Sequence, residues 1–192
     1  MSKSLMLTEL YEKYKIKYKD REIVTGDGNE DSKILLVGEA PGREEIKLSK
    51  PFVGAAGKNL EEFIEILGIA RSSIFITNSI KYRLSKVNPK SGRIVNRPAT
   101  WDEIIESRPF LLDEIKIIKP EFIVTLGNIA IKAVTGERNI SIGNVHGQLN
   151  EIKIVDITCK LFPLYHPASI IYNRKLKEAY LEDLYKLKKY LH

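Results

Sequence analysis

Ile34-Leu35-Leu36-Val37-Gly38-Glu39-Ala40-Pro41-Gly42 decides the fold. Four apolar residues read as a buried strand, and a glycine-proline turn follows at once. The same order returns three times. Ile74-Phe75-Ile76-Thr77-Asn78 ends in an amide, and Phe122-Ile123-Val124-Thr125-Leu126-Gly127 ends in a glycine. Leu161-Phe162-Pro163-Leu164-Tyr165 runs into His166-Pro167-Ala168-Ser169. Helix-like segments separate these runs, the pattern of a parallel sheet. The expected architecture is α/β: a three-layer α/β/α sandwich with a central four-stranded parallel sheet, built by residues 1–192 as a single domain. All four carboxyl ends then face one edge, where open α/β sheets bind ligands. A glycine-proline turn, an Asn and a His would converge there on one pocket.

Bulk properties fit that reading. Charged residues make up 29% and hydrophobic residues 43% of the 192, ordinary values for a globular domain. No apolar run approaches the ~20 residues of a membrane span. Met1-Ser2-Lys3-Ser4-Leu5-Met6 lacks the apolar core of a signal peptide. A cytoplasmic monomer with no membrane partner is the expectation. One cysteine, Cys159, excludes an internal disulfide and any multi-cysteine metal site on one chain; it is expected to be a buried thiol. A net charge of +6 points mildly to a polyanionic partner.

Leu7, Leu10, Tyr11 and Tyr14 recur at i, i+3, i+4, i+7 and predict a helix over Leu5 to Lys17. Gly26-Asp27-Gly28-Asn29 reads as a turn, and Lys58 to Leu67 as a helix ended by Gly68. Arg83 to Pro98 is basic, holds two prolines and a glycine, and shows no period, so a long surface loop is expected. A helical period resumes over Trp101 to Lys119, with Pro109 placed near a start or a break. A short helix over Asn128 to Val134, a glycine-punctuated hairpin region over Ser141 to Ile157 and a final helix over Lys175 to Tyr190 complete the chain.

Taken in order, Gly38 to Gly42, Pro51-Phe52-Val53-Gly54-Ala55-Ala56-Gly57, Ile76-Thr77-Asn78, Val124 to Gly127 and His166-Pro167-Ala168 resemble the uracil-DNA glycosylase superfamily, nearest to its family 4. The resemblance spans roughly Arg21 to Tyr172. Each motif is weak alone; five in order are specific. It implies a DNA repair enzyme that hydrolyses the N-glycosidic bond of uracil in DNA and leaves an abasic site. The implied partner is DNA containing uracil.

The chemistry agrees residue by residue. An enzyme acting on a duplex base must extrude it and read its Watson-Crick edge. Uracil offers an acceptor at O4 beside a donor at N3, and one amide matches both; the resemblance gives that role to Asn78. Phe52 would stack on the ring. His166 would donate to O2 as negative charge develops there, the logic of an oxyanion hole. The backbone of Glu39, Ala40 and Pro41 would contact the base and help hold a water near C1′. The Glu39 carboxylate would take part in catalysis by stabilising the sugar, or would block bases with a methyl at C5; both stay open. Superfamily members with an Asp two residues after the equivalent glycine have a general base, whereas this chain has Ala40, so a dissociative route fits better. Past His166, the resemblance implies a DNA-binding loop. Within it Ser169 and Ile170 lie at the minor groove, with Ile170 as the wedge that fills the vacated stack, and Arg174 and Lys175 contact phosphates. His146 has a weaker claim to function.

The chain departs from family 4 in one respect. Most members carry four cysteines on a 4Fe-4S cluster, but here the third and fourth positions are Tyr82 and Arg108, and the first pair falls in the cysteine-free stretch Glu12 to Lys15. No cofactor and no metal are expected, with Tyr11, Tyr14, Tyr18 and Tyr82 packing in the cluster's place. The departure keeps two alternatives open: a relative acting on another deaminated base such as hypoxanthine, and a non-catalytic DNA-binding relative. Lysine is absent from the pocket motifs, which argues against a lyase step.

Overall fold

The computed structural model describes residues 1–170 and 174–191. Besides a 3-10 turn, the elements run α1 (Lys3–Lys17), β1 (Asp27–Gly28), β2 (Ile34–Gly38), α2 (Arg43–Leu48), α3 (Ala55–Leu67), β3 (Phe75–Asn78), β4 (Ser85–Val87) and β5 (Ile94–Asn96). They continue with α4 (Trp101–Ile118), β6 (Phe122–Leu126), α5 (Asn128–Thr135), α6 (Ile142–Val145), β7 (Asn150–Ile154), β8 (Ile157–Leu164) and α7 (Arg174–Leu191).

The main sheet has the order β1-β3-β2-β6-β8-β7. Its centre, β3-β2-β6-β8, is parallel and is made of the four expected runs. The strand count differs from the expected four, because β1 and β7 add antiparallel edges. The β7 edge falls inside the hairpin region expected over Ser141 to Ile157, whereas the β1 edge was read as a turn. β1 is two residues inside the expected turn, and β7 (Asn-Glu-Ile-Lys-Ile) is mostly exposed.

Alternation along the strands supplies both cores. Leu35 lies beside Phe75 and Ile123, and Ile123 beside Leu161. That row faces Leu7 and Leu10 of α1, Leu111 and Ile115 of α4, and Ala133 of α5. One residue on, Leu36, Ile76, Val124 and Phe162 form the opposite row, against Leu60 and Phe63 of α3 and Leu184 and Leu187 of α7. Successive side chains of a strand point to opposite faces, so consecutive apolar residues imply two covered faces. Each fully buried aliphatic or aromatic side chain contributes ~1.5–3 kcal/mol. The result is the three-layer arrangement expected.

The helices follow their local signals. α1 buries the expected Leu7, Leu10, Tyr11 and Tyr14, and α3 stops at Gly68, whose φ of 72° is left-handed. Pro109 neither starts nor breaks a helix. α4 runs through it, begun by a capping box between Thr100 and Glu103 and held by buried Ile104, Leu111 and Ile115, with the proline on the exposed side. The expected loop over 83–98 contains a separate two-stranded sheet, β4-β5. The region Ser141 to Ile157 holds the short α6 as well as the β7-β8 hairpin. Cys159 is buried in the first core, and burial pushes its thiol up to about 11.

Candidate active site

Strand register brings the motifs together. Gly38 and Asn78 are paired neighbours at the carboxyl ends of β2 and β3. Gly127, just past β6, donates its N–H to Leu164 O at 2.8 Å, and His166 follows β8 by two residues. The stitching continues beyond the strands, with Ser79 N–H on Gly38 O (2.9 Å) and Ile80 N–H on Glu39 O (3.0 Å). At this edge lies a cavity of about 390 Å³, with Ala40, Glu45, Phe52, Asn78 and His166 among its lining residues. Gly38 makes that convergence possible. A Cβ at this position would collide with Asn78 Oδ1 and with the edge of the Phe52 ring.

Asn78 is 3% exposed. Its side-chain amide lines the cavity and has no hydrogen-bond partner among the described residues. The amide therefore presents a donor and an acceptor to the cavity, free to pair with a ligand of matching pattern. Beneath it lies a group of residues that sequence reasoning passed over. Lys81, which closes the stretch Asn78-Ser79-Ile80-Lys81, is 1% exposed and bonds Thr77 Oγ1 (2.9 Å), Asn78 O (3.1 Å) and Glu114 Oε2 (2.9 Å). Glu114 Oε1 accepts from Tyr11 (2.5 Å) and Thr77 (3.1 Å). A lysine therefore does adjoin the pocket motifs, but all three ammonium hydrogens are taken. It holds the end of β3 and is no free amine. A Lys three residues after a strand-end Asn was the available signal; Glu114, far along the chain on α4, left none.

Phe52 is 6% exposed and has φ of 53°, a left-handed backbone that is uncommon for a bulky residue. Such strain costs on the order of 1–3 kcal/mol and persists only where the surroundings enforce it. Buried Glu45 is the enforcer. Its Oε1 accepts from Val53 N–H (3.1 Å) and Gly54 N–H (2.7 Å), while Oε2 accepts from Gly42 N–H (3.1 Å). One carboxylate thus ties the glycine-proline turn to the Phe52 loop. Its place at the third position of α2, where a capping box puts an acid, was the clue in the sequence.

His166 is fixed at both ring and backbone. Ala168 N–H donates to Nδ1 at 3.1 Å, which assigns the neutral ring's proton to Nε2. Burial brings its pKa down to about 4, so the imidazole is neutral at physiological pH. Ser169 Oγ donates to His166 O (2.7 Å), and Asn59 Nδ2 of α3 donates to Pro167 O (3.0 Å). The Phe52 and His166 ring centres are 6.2 Å apart across the cavity. Glu39 lies to one side, in a groove shared with Ala40, Pro41 and His166. Its Oε1 accepts from Ala99 N–H at 2.9 Å. Burial raises its carboxyl pKa, opposed by the Ala99 bond and by Arg97.

The expected DNA-binding loop is placed only in part. Ser169 and Lys175 are exposed. Only the backbone of Arg174 is described, and Ile171 and Tyr172 lie outside the described residues. Ile170, the expected wedge, is drawn inward. It is 9% exposed and packs in the cluster that holds Tyr180, Leu184 and Leu187, where an apolar side chain is removed from water. His146 is a clasp, with Nδ1 on Asp183 Oδ2 at 2.5 Å and its ring 4.6 Å from that of Tyr165.

The positions at which family 4 carries thiolates do not suit an iron-sulfur cluster. Tyr82, Tyr18, Tyr14 and Phe110 form a chain of ring contacts of 5.0, 4.6 and 4.9 Å. Arg108 donates to the carbonyls of Ala133 (2.8 Å) and Val134 (3.2 Å). Phenols and a guanidinium cannot replace thiolates as ligands. Tyr11, expected in this group, belongs to the other core and bonds Glu114.

Residues 25–187 match the uracil DNA glycosylase superfamily, and the chain belongs to it. Within that superfamily it is similar to the type-4 uracil-DNA glycosylase of Saccharolobus solfataricus, 38% identical over 175 residues, which cover 89% of this chain and 77% of that protein. The type-4 uracil-DNA glycosylase of Sulfurisphaera tokodaii is 41% identical over 169 residues, 86% of this chain and 73% of that one. That of Thermotoga maritima is 37% identical over 171 residues, 88% and 83% respectively.

Proposed function

We propose that this chain is a uracil-DNA glycosylase that cleaves the bond between C1′ of the deoxyribose and N1 of uracil, as the first step of DNA repair. The observation that carries the assignment of roles is one cavity lined by both the Asn78 amide, unpaired among the described residues, and a neutral His166. Asn78 Nδ2 donates to uracil O4 and Oδ1 accepts from N3–H. Cytosine reverses both groups and leaves both bonds unmade, at ~1–3 kcal/mol each. Phe52 stacks on the ring and does not choose among bases.

As the C1′–N1 bond breaks, its electron pair moves onto the uracil, and His166 Nε2–H bonds the negative charge at O2. A preorganised donor of this kind is stronger in a site that excludes water. A water oxygen then bonds to C1′ and loses one proton, which neutralises the departing uracil anion, leaving an abasic sugar and free uracil. Glu39 faces this chemistry from the groove. Its carboxylate stabilises the positive charge that develops on the sugar. Ser169 and Lys175 contact the DNA backbone beside the pocket. The protein works as a cytoplasmic monomer of a single domain and uses no metal or cofactor.

Matched oligonucleotides carrying uracil, hypoxanthine, xanthine or thymine, followed by alkaline cleavage at abasic sites, test the assignment. Uracil is expected to be cut fastest. Asn78→Ala and Asn78→Asp are expected to slow uracil release; wild-type rates in both would remove Asn78 as the reader.

A further inference from the structure

The β4-β5 hairpin has no place in the chemistry above. Among the described residues it pairs only with itself, apart from the main sheet. Its turn is preformed: Asn88 N–H bonds Arg93 O (2.8 Å), Gly92 N–H bonds Asn88 O (2.8 Å), and Asn88 Oδ1 accepts from Lys90 N–H (2.9 Å). From Arg83 to Arg97 the segment holds five cations and no acid. Two of these are committed, Arg97 in a fork on Glu103 (2.6 and 2.8 Å) and Arg83 on Asn96 Oδ1 (2.9 Å). The side chains of Lys86, Lys90 and Arg93 form no hydrogen bond or ion pair among the described residues. Between them Val87 and Ile94, cross-strand partners, are 63% and 62% exposed. An isolated two-stranded hairpin is marginal in water, and two exposed β-branched residues among unpaired cations do not stabilise it. The root of the hairpin reaches the site. Asn96 lines the cavity that holds Asn78 and also the groove that holds Glu39 and His166.

We propose that this hairpin is an arm that grips the DNA backbone flanking the target base, with Lys86, Lys90 and Arg93 on phosphates. The inference rests on the DNA reading above and adds a partner surface to it. Charge complementarity selects the occupant, since a polyanion satisfies three clustered cations that the protein leaves unpaired. Reach gives the register. Arg93 stands three residues from Asn96, about 10 Å of strand, and at about 3.4 Å per nucleotide of one DNA strand it meets a phosphate about three nucleotides from the extruded base. Lysines also keep exposed edge strands from pairing with other chains, and that role predicts a different result.

The test is the salt dependence of binding to two duplexes, with and without uracil, for Lys86→Gln/Lys90→Gln/Arg93→Gln. Three lost phosphate contacts lower the slope of log K against log salt by about 2–3, with a loss of affinity of about tenfold or more at physiological salt. The saturating single-turnover rate is expected to stay unchanged. Substrates with a single nucleotide on each side of the uracil are expected to be cut equally by both proteins. Lys86→Arg/Lys90→Arg/Arg93→Lys is expected to restore the slope, with melting temperature as the control for folding. A matched control is Lys33→Gln/Lys119→Gln/Lys160→Gln, which removes the same charge around the amino ends of β2 and β6, where Lys160 pairs with Phe122, away from the pocket. An unchanged slope, an equal change in this control, or self-association of the first variant with the slope unmoved would overturn the arm. Wild-type protein that binds DNA but releases no uracil would count against the function assigned above, while the duplex without uracil still reads the hairpin.

Discussion

Beneath the cavity, Lys81 and Glu114 are 1% and 0% exposed, and each ammonium hydrogen has an acceptor. At its rim, Lys86, Lys90 and Arg93 stand in water unpaired among the described residues. The difference follows from what charge costs in the two places. A buried ion without full hydrogen bonding loses several kcal/mol of hydration, so charge is tolerated under the floor only as a closed network. The benefit of that network is geometric, because it clamps Asn78 O and Thr77 and thereby the direction of the Asn78 amide. At the rim hydration is free, and unpaired charge remains available to a polyanion. The floor should thus be sensitive to geometry and indifferent to salt, and the hairpin the reverse.

Lys81→Met gives the sharpest break of the floor. Leaving Glu114 buried without its cation is expected to cost about 3–5 kcal/mol, read as a lowered denaturation midpoint. Adding Glu114→Leu is expected to restore much of that stability without restoring discrimination of uracil from cytosine. If the single variant is as stable as wild type, the clamp is not what holds β3.

Next in size is His166→Ala, expected to lower the single-turnover rate by ~10²–10³ with little change in DNA affinity. The wild-type rate should not respond to His166 titration between pH 5.5 and 8. The ring's pKa is depressed to about 4, and protonation at Nδ1 below that would break the bond from Ala168. The sign for stability agrees. Unfolding restores an ordinary pKa near 6.5, so the unfolded chain binds more protons between about pH 4 and 6.5. This group's contribution is complete above that window and falls as the solution is acidified through it. An inflection in the rate near pH 6.5 that disappears in His166→Ala would contradict the neutral assignment.

The smallest effect separates core from DNA contact at Ile170. Truncating a buried Ile to Ala costs ~2–5 kcal/mol, and partial collapse at this loop-borne site should hold Ile170→Ala near the lower end. Excision from single and double strands should fall together. A selective loss on paired DNA at unchanged melting temperature would return Ile170 to the role of wedge.

Much of this was legible in the chain because it rests on local pattern. Four apolar runs, each followed by a turn or a functional group, imply a parallel sheet covered on both faces. Register then leaves Gly38, Asn78, Gly127 and His166 at one edge. α1 and α3 follow from apolar spacing and a terminal glycine. The hairpin at Ser85–Val87 and Ile94–Asn96 was not legible, since strands exposed on both faces carry no alternation to read. Tertiary structure alone decided three further matters, each a contact between distant segments. Glu45 holds the left-handed Phe52, Glu114 on α4 meets Lys81 beneath Asn78, and Ile170 turns into the core beside α7. The physical reason is one of range. Backbone period and turn chemistry act over a few residues and are written in order along the chain. The partner of a buried charge, or the side of a loop residue that loses its water, is set only when segments far apart in sequence are packed together.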